Sequence, residues 1–426
     1  MPQEKSSSIS ALPKSRSRSK KTKDNIDGND GNDGNDGNEE PVCQGDATKL
    51  SASAVTVPSS TDINTPTALQ EVISTARFIT GGLHYPIENL MYLASTVNRI
   101  GSKLLGRKVF SPEKDIGDLV GKVILVTGGN TGLGKQTILE LAKHGPSRIY
   151  LAARSESKAR SAISDIKVSL STELASIVDI RYLPLDLSSF QSIRTAASTF
   201  KSENSRLDTL ILNAGVMALP PDTTEDGYEI QFGTNFLGHF LLTKLLLPIL
   251  LETAGAPAPN SPQQPAVAAA DVRVISVSSL AWQLAPAHNP LETMTSTAKL
   301  LSENTWTRYG CSKAGNVILA AQLARLYPQI TAVSLHPGLI MTNLYSSTKS
   351  SNPLVRYATA VASPLLTGEE EGALNHLWAA GVAREMLTNG AYYEPVGVWA
   401  KNWFAEDEKV GEELWRWAEG EVRDWI

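Results

Sequence analysis

From residue 115 onward the chain alternates short apolar runs with longer segments whose apolar residues recur every three or four positions. The runs at 123–126, 148–153, 179–183, 207–212, 272–277, 330–335 and 391–394 read as seven strands. The first of them, four apolar residues without alternation, suits a central strand covered on both faces. The periodic segments between them read as helices, and Val410, Leu414, Ala418, Val422 and Trp425 outline a last amphipathic one. This alternation, without internal repeats, predicts an α/β fold over residues 113–426: a doubly wound, parallel seven-stranded sheet with helices on both faces. The most apolar stretch, 236–251, is broken by Gly238, His239, Lys244 and Pro248, and reads as a buried helix rather than a membrane span.

The pattern differs upstream. Residues 1–67 are rich in Ser, Lys, Asn, Gly and Asp, with Gly-Asn-Asp recurring from Gly28, and are expected to form a disordered polar tail. Its basic run beginning at Ser15 reads as a solvated charge cluster, with an import signal or anionic-surface patch as the alternative. Residues 68–112 carry two apolar series, Leu69, Val72, Ile73, Ala76 and Phe78, then Ile87, Leu90, Met91, Leu93, Ala94, Val97 and Ile100, separated by Gly81, Gly82 and Pro86. They read as an amphipathic helical extension that either docks on the domain or, with Arg99, Lys103, Arg107 and Lys108 nearby, lies on a membrane surface. Residues 255–270, rich in Pro, Ala and Gln, read as a loop insertion.

Composition narrows the function classes. With 42% hydrophobic and 19% charged residues, and a net charge of -5, the chain is globular and gives no reason to expect a nucleic-acid partner. Two cysteines, Cys43 and Cys311, exclude a disulfide framework and favour a reducing compartment, hence the cytoplasm. The six histidines show no metal-ligand spacing, so no metal is expected.

Candidate chemistry begins at Thr127-Gly128-Gly129-Asn130-Thr131-Gly132-Leu133-Gly134, a strand running into a glycine-rich turn and then a helix. Backbone amides and the positive end of a helix dipole converge there, which suits a phosphate of a dinucleotide. At the end of the second strand, where an acidic residue would bond a ribose 2′-hydroxyl, Ala153 is followed by Arg154. A guanidinium can hold a 2′-phosphate, so NADP(H) is expected over NAD(H). Tyr309 and Lys313 are four residues apart, so on a helix they share a face and the ammonium can lower the phenol's pKa. Ser278 and Ser279 close the fifth strand, and either hydroxyl can donate to a substrate oxygen. Between Ser279 and Tyr309 lies an excursion whose Trp282, Leu284, Met294, Leu300 and Leu301, with Trp306 beyond, either line an apolar substrate pocket or pack the loop. Cys311 points away from the Tyr309 face and reads as packing.

The glycine spacing, Asn213-Ala214-Gly215, Asn235, the serine pair, Tyr309-x-x-x-Lys313 and His336-Pro337-Gly338 occur in an order that resembles the short-chain dehydrogenase/reductase family, over about residues 115–400. Arg154, the 277–281 run, His336-Pro-Gly338 and Glu369-Glu-Glu-Gly-Ala373 are similar to its retinol-dehydrogenase-like branch, common among fungi. The resemblance implies a Rossmann fold and a catalytic set of Asn235, Ser279, Tyr309 and Lys313, with Ser279 favoured over Ser278 and Asn235 holding a water against the lysine. It implies cofactor contacts from Gly128, Asn130, Thr131, Gly132, Leu133, Gly134, Arg154, Asp186, Leu187, Asn213, Ala214, Gly215, Tyr309, Lys313, Pro337, Gly338 and Thr342. The function then expected is an NADPH-dependent interconversion of carbonyl and alcohol on a small lipophilic substrate, with direction left open. The alternative is a non-catalytic NADP(H)-binding scaffold or sensor at a lipid surface. Residues 68–108 would attach either form peripherally to the endoplasmic reticulum or a lipid droplet, and the helices at 236–250 and 309–327 resemble the family's dimer-forming pair, although solitary members exist.

Overall fold

In the computed structural model, residues 109–255, 270–338 and 368–426 are described. The polar tail, the amphipathic extension up to residue 108, most of the 255–270 insertion and Thr342 lie outside them.

The first strand, β1 (Val123–Thr127), is wholly buried and alternates between two cores. Val123 and Leu125 face one apolar cluster, while Ile124 and Val126 face the other. An unbroken apolar run is therefore what this position needs. The chain continues through helix α1 (Gly132–Ala142), β2 (Arg148–Ala153), α2 (Glu156–Ser169), β3 (Asp179–Pro184), α3 (Phe190–Glu203) and β4 (Thr209–Leu212). The second half holds α4 (Gly238–Thr253), β5 (Arg273–Val277), α5 (Thr305–Leu326), β6 (Thr331–Leu335), α6 (Glu369–Gly381), β7 (Tyr392–Glu394), β8 (Val398–Ala400) and α7 (Glu408–Glu421). Helices α1, α2 and α6 cover one face of the sheet, and α3, α4, α5 and α7 build the core on the other.

Strand order is β3-β2-β1-β4-β5-β6-β7-β8, with β1 to β7 parallel. The sheet thus has eight strands rather than the seven expected, because β8 adds an antiparallel edge to β7. Three residues long, with Val398 and Trp399 exposed, β8 is too short to show a period in the sequence. Order reverses between β1 and β4, and the crevice outside their carboxyl ends is where such sheets bind ligands.

The helical stretch from Ile230 to Thr253 is long and apolar enough to cross a membrane, yet 83% of its most apolar window is buried inside the fold. It is a core helix, as its polar interruptions suggested. The helices that resemble a dimer-forming pair, α4 and α5, are covered by α7. Trp415 stacks edge-on against Phe240 at 4.8 Å, and Lys244 pairs with Glu419 at 2.7 Å.

Candidate active site

A cleft of about 660 Å³ opens at the switch point. Its floor is the glycine turn. Gly128 and Gly132 have positive φ angles of 67° and 54°, a region that β-carbons disfavour. A Cβ on Gly134 would come within 2.4 Å of the Gly128 carbonyl and 2.7 Å of Asn213 Nδ2. The turn is held from the neighbouring strand: Asn213 Nδ2 donates to the Thr127 carbonyl at 2.8 Å, and the Ala214 N–H donates to Thr127 Oγ1 at 2.9 Å. Thr131 caps α1 without a side-chain bond, so the first amides of that helix remain for a ligand. Backbone packed this closely, at a helix N-terminus, fits the pyrophosphate of a dinucleotide.

One end of the cleft is cationic. Arg154 and Ser155, just after β2, line it together with Lys158. Lys158 was not singled out from the sequence. Its signal was the capping serine: Ser155 Oγ accepts from the Lys158 N–H at 3.4 Å, which places the lysine in the first turn of α2 beside Arg154. Asp186 also lines the cleft, but its Oδ1 accepts from the Ser188 N–H and hydroxyl at 2.9 and 2.7 Å.

The other end gathers Ser278, Ser279, Tyr309, Lys313, His336, Pro337 and Gly338. Lys313 is buried on α5, donates from Nζ to the Val277 carbonyl at 3.0 Å, and lies 5.6 Å from the centre of the Tyr309 ring. Burial pulls its pKa down from 10.5 to about 8. The two serines differ. Ser278 Oγ donates to the Lys313 carbonyl at 2.8 Å and so ties β5 to α5. Ser279 Oγ accepts from the Ala281 N–H at 3.2 Å, which leaves its own proton for a group in the cleft. Asn235 stands one layer behind the wall, fully buried in a widened helical turn (Gly233–Leu237). Its Nδ2 donates to Ser312 Oγ and the Val216 carbonyl, both at 2.9 Å, and its Oδ1 accepts from the Val216 N–H at 2.7 Å. It nevertheless meets Lys313 across Gly215: a Cβ there would be 3.2 Å from Asn235 Oδ1 and 3.4 Å from Lys313 Nζ.

The two readings of the apolar excursion divide. Trp282, Met294 and Leu300 are buried in the main core, not in the cleft. Leu284 and Trp306 instead pack around Tyr309 with Met217, Ala218 and Ala281. Met217, also missed from the sequence, stands two positions after the Asn-Ala-Gly segment and lines the cleft. Its loop is clamped to the start of α5. Arg308 donates to the Leu219 and Pro220 carbonyls at 2.9 and 3.3 Å and to Glu229 Oε1 at 3.0 Å. Gln231 Oε1 accepts from the N–H of Ala218, which itself has a positive φ of 56°. Cys311 is buried in the core, where burial raises its thiol pKa.

Residues 122–257 match a family model described as short chain dehydrogenase. A short-chain dehydrogenase/reductase of Armillaria gallica is 38% identical over 328 residues, covering 73% of this chain and 93% of its own. Human retinol dehydrogenase 13 is 38% identical over 305 residues, covering 69% and 82% respectively. Among solved structures, an uncharacterised protein of Mycobacterium paratuberculosis superposes with a TM-score of 0.54 at 27% identity, covering 74% of this chain and 98% of its own.

Proposed function

The chain belongs to the short-chain dehydrogenase/reductase family of oxidoreductases, with retinol dehydrogenases among its relatives, and on that footing we propose that it reduces a carbonyl on a small lipophilic molecule with NADPH. What carries the reading is that Ser279, Tyr309 and Lys313 line the same cleft as the glycine turn. The bound cofactor would supply the reducing equivalent to the carbonyl carbon.

Each residue then has a task. The turn from Gly128 to Gly134, with Asn213, Ala214 and Gly215, holds the dinucleotide, while Leu187, Pro337 and Gly338 complete its walls. Arg154, aided by Lys158, takes the 2′-phosphate, since two cations and an adjacent serine cap offer charge-assisted bonds there. Tyr309 gives its phenolic proton to the carbonyl oxygen as that oxygen gains charge, and takes it back in the reverse direction. The Lys313 ammonium stabilises the resulting phenolate, and Ser279 donates a hydrogen bond to the same substrate oxygen. Asn235, locked to Val216 and Ser312, keeps the wall behind Lys313 in place. Met217, Ala218, Leu284 and Trp306 present the apolar surface that accepts the lipophilic part of the substrate.

Purified protein assayed with NADPH and NADH side by side, against retinal-like, steroid and aliphatic carbonyls, should oxidise NADPH preferentially. Tyr309→Phe should abolish turnover while NADPH still quenches or enhances fluorescence on binding. Full activity in the Phe variant would remove Tyr309 from the chemistry.

A further inference from the structure

Behind the cleft a hydrogen-bonded chain joins its two ends through a side chain with no part in the reaction described above. His239, in the first turn of α4, is completely buried. Its Nδ1 lies 2.9 Å from the Asn235 carbonyl oxygen, and its Nε2 lies 2.9 Å from Thr127 Oγ1. A carbonyl oxygen can only accept, so Nδ1 carries the ring proton. In a neutral ring Nε2 is then bare, and the Thr127 hydroxyl must donate to it. That hydroxyl still accepts from the Ala214 N–H at 2.9 Å. Every donor thus meets an acceptor: Ala214 N–H to Thr127, Thr127 O–H to His239, and His239 Nδ1–H to Asn235. A charged ring would break this order, turning the Thr127 proton towards the Ile211 carbonyl at 3.4 Å, and burial opposes it by pulling the imidazole pKa down to about 3.

The position of Asn235 gives the chain its consequence. In the turn Gly233–Leu237 the backbone ladder is shifted, with the Gly238 N–H reaching back to the Gly233 carbonyl. The imidazole takes up the Asn235 carbonyl there, on the residue whose side chain grips Val216 and Ser312 beside Lys313. At its other end the same ring fixes the Thr127 hydroxyl, which holds Ala214 against the glycine turn.

We propose that His239, as its neutral Nδ1–H tautomer, is a positioning residue that holds the cofactor-cradling Asn213–Ala214 segment and the Asn235–Lys313 end of the cleft in one register. The activity part of its test rests on the reductase reading; the remainder does not.

Asparagine places an amide near Nδ1 and glutamine places one near Nε2, so the two substitutions cut opposite links. His239→Asn, which spares the Asn235 link, should lose mainly affinity, with the NADPH dissociation constant rising about tenfold, the scale of one buried hydrogen bond. His239→Gln, which spares the Thr127 link, should lose mainly turnover, with kcat falling about tenfold at saturating NADPH. Parallel losses in both quantities for both variants would reduce His239 to packing and overturn the proposal. On the unaltered full chain, nitrogen-15 NMR of the histidine rings, with His239 assigned through bonds, should show the proton on Nδ1 and a bare Nε2. The opposite tautomer or a charged ring would overturn the proposal even if neither variant folds. Tight NADPH binding without turnover of any carbonyl would instead sink the reductase reading, and the binding and NMR results would still decide the role of His239.

Discussion

Lys313 is a residue at which stability and the proposed chemistry pull apart. Its buried ammonium donates to the Val277 carbonyl, and burial moves its pKa from 10.5 to about 8. The folded-state value lies below the unfolded one, so the folded protein carries a penalty of about 3 kcal/mol wherever the lysine is charged in both states, that is below about pH 8. Between about 8 and 10.5 the unfolded chain binds the extra proton, and stability rises with pH as the penalty is relieved. Lys313→Met should therefore raise the free energy of urea unfolding at pH 7 by about 1–3 kcal/mol, less the lost bond to Val277, and the gain should shrink towards pH 10. The same variant should be inactive. Carbonyl reduction by the native protein should fall as pH rises through about 8 and the ammonium is lost; a flat rate from about pH 6 to 10 would contradict that role. At the opposite end of the cleft, Arg154→Ala should weaken NADPH binding about ten- to a hundredfold while leaving NADH binding nearly unchanged, because only the phosphate loses a charge-assisted contact. Titration calorimetry with both cofactors would decide it.

At the scale of elements, the start of α5 is held both by its own cap, Asn304, whose side chain accepts from the Trp306 and Thr307 N–H groups, and by a buried clamp to a distant loop. Glu229 and Arg308 are both buried and paired at 3.0 Å. Burial pushes the Glu229 carboxyl up and pulls the Arg308 guanidinium down, so desolvation outweighs their mutual attraction and their hydrogen bonds to backbone complete the balance. Arg308→Met should cost about 3–5 kcal/mol by leaving Glu229 uncompensated, and Glu229→Gln in the same chain should recover much of it. Both forms release the Leu219 and Pro220 carbonyls, so in both the KM for carbonyl should rise more than the dissociation constant for NADPH. Equal effects on the two would mean that the clamp stabilises the fold without shaping the substrate wall. Nothing in the sequence announced this pair, because 79 positions separate its members and only the tertiary fold brings them together. Tyr309 and Lys313, by contrast, were legible because helical spacing puts them on one face and because they follow the fifth strand of a chain that also carries the glycine turn, which spacing alone would not have distinguished from a common surface pair. The glycine turn was legible because backbone packed without β-carbons leaves no other residue type. Trp282 and Met294 were ambiguous for a physical reason: an apolar side chain is equally at home in a core and in a pocket wall, and here the core takes both.

For the whole molecule, the largest consequence lies in α7. The sequence showed its amphipathic period but not where the apolar stripe goes, since that depends on which surface the rest of the fold leaves bare. It covers α4 and neighbouring parts of the same face: Trp415 stacks on Phe240, Trp417 lies 6.0 Å from Phe232, and the Tyr228 hydroxyl donates to Glu421 at 2.6 Å. Lys244 lies over the Trp415 ring at 5.5 Å and pairs with Glu419, so a cation that would otherwise interrupt an apolar face is neutralised within the chain. Self-association through α4 and α5 would therefore have to displace α7, and truncation of the buried Trp415 ring to alanine should by itself cost about 3–5 kcal/mol. The native chain should run as a species near its own mass of 45.8 kDa in light scattering coupled to gel filtration. Trp415→Ala should lower the melting temperature and shift the mass upward as the bared Phe240 face finds a second copy. A native dimer whose stability is unaffected by Trp415→Ala would mean that another surface, such as β8, the last strand of the sheet among the described residues, with its exposed Trp399, joins the subunits.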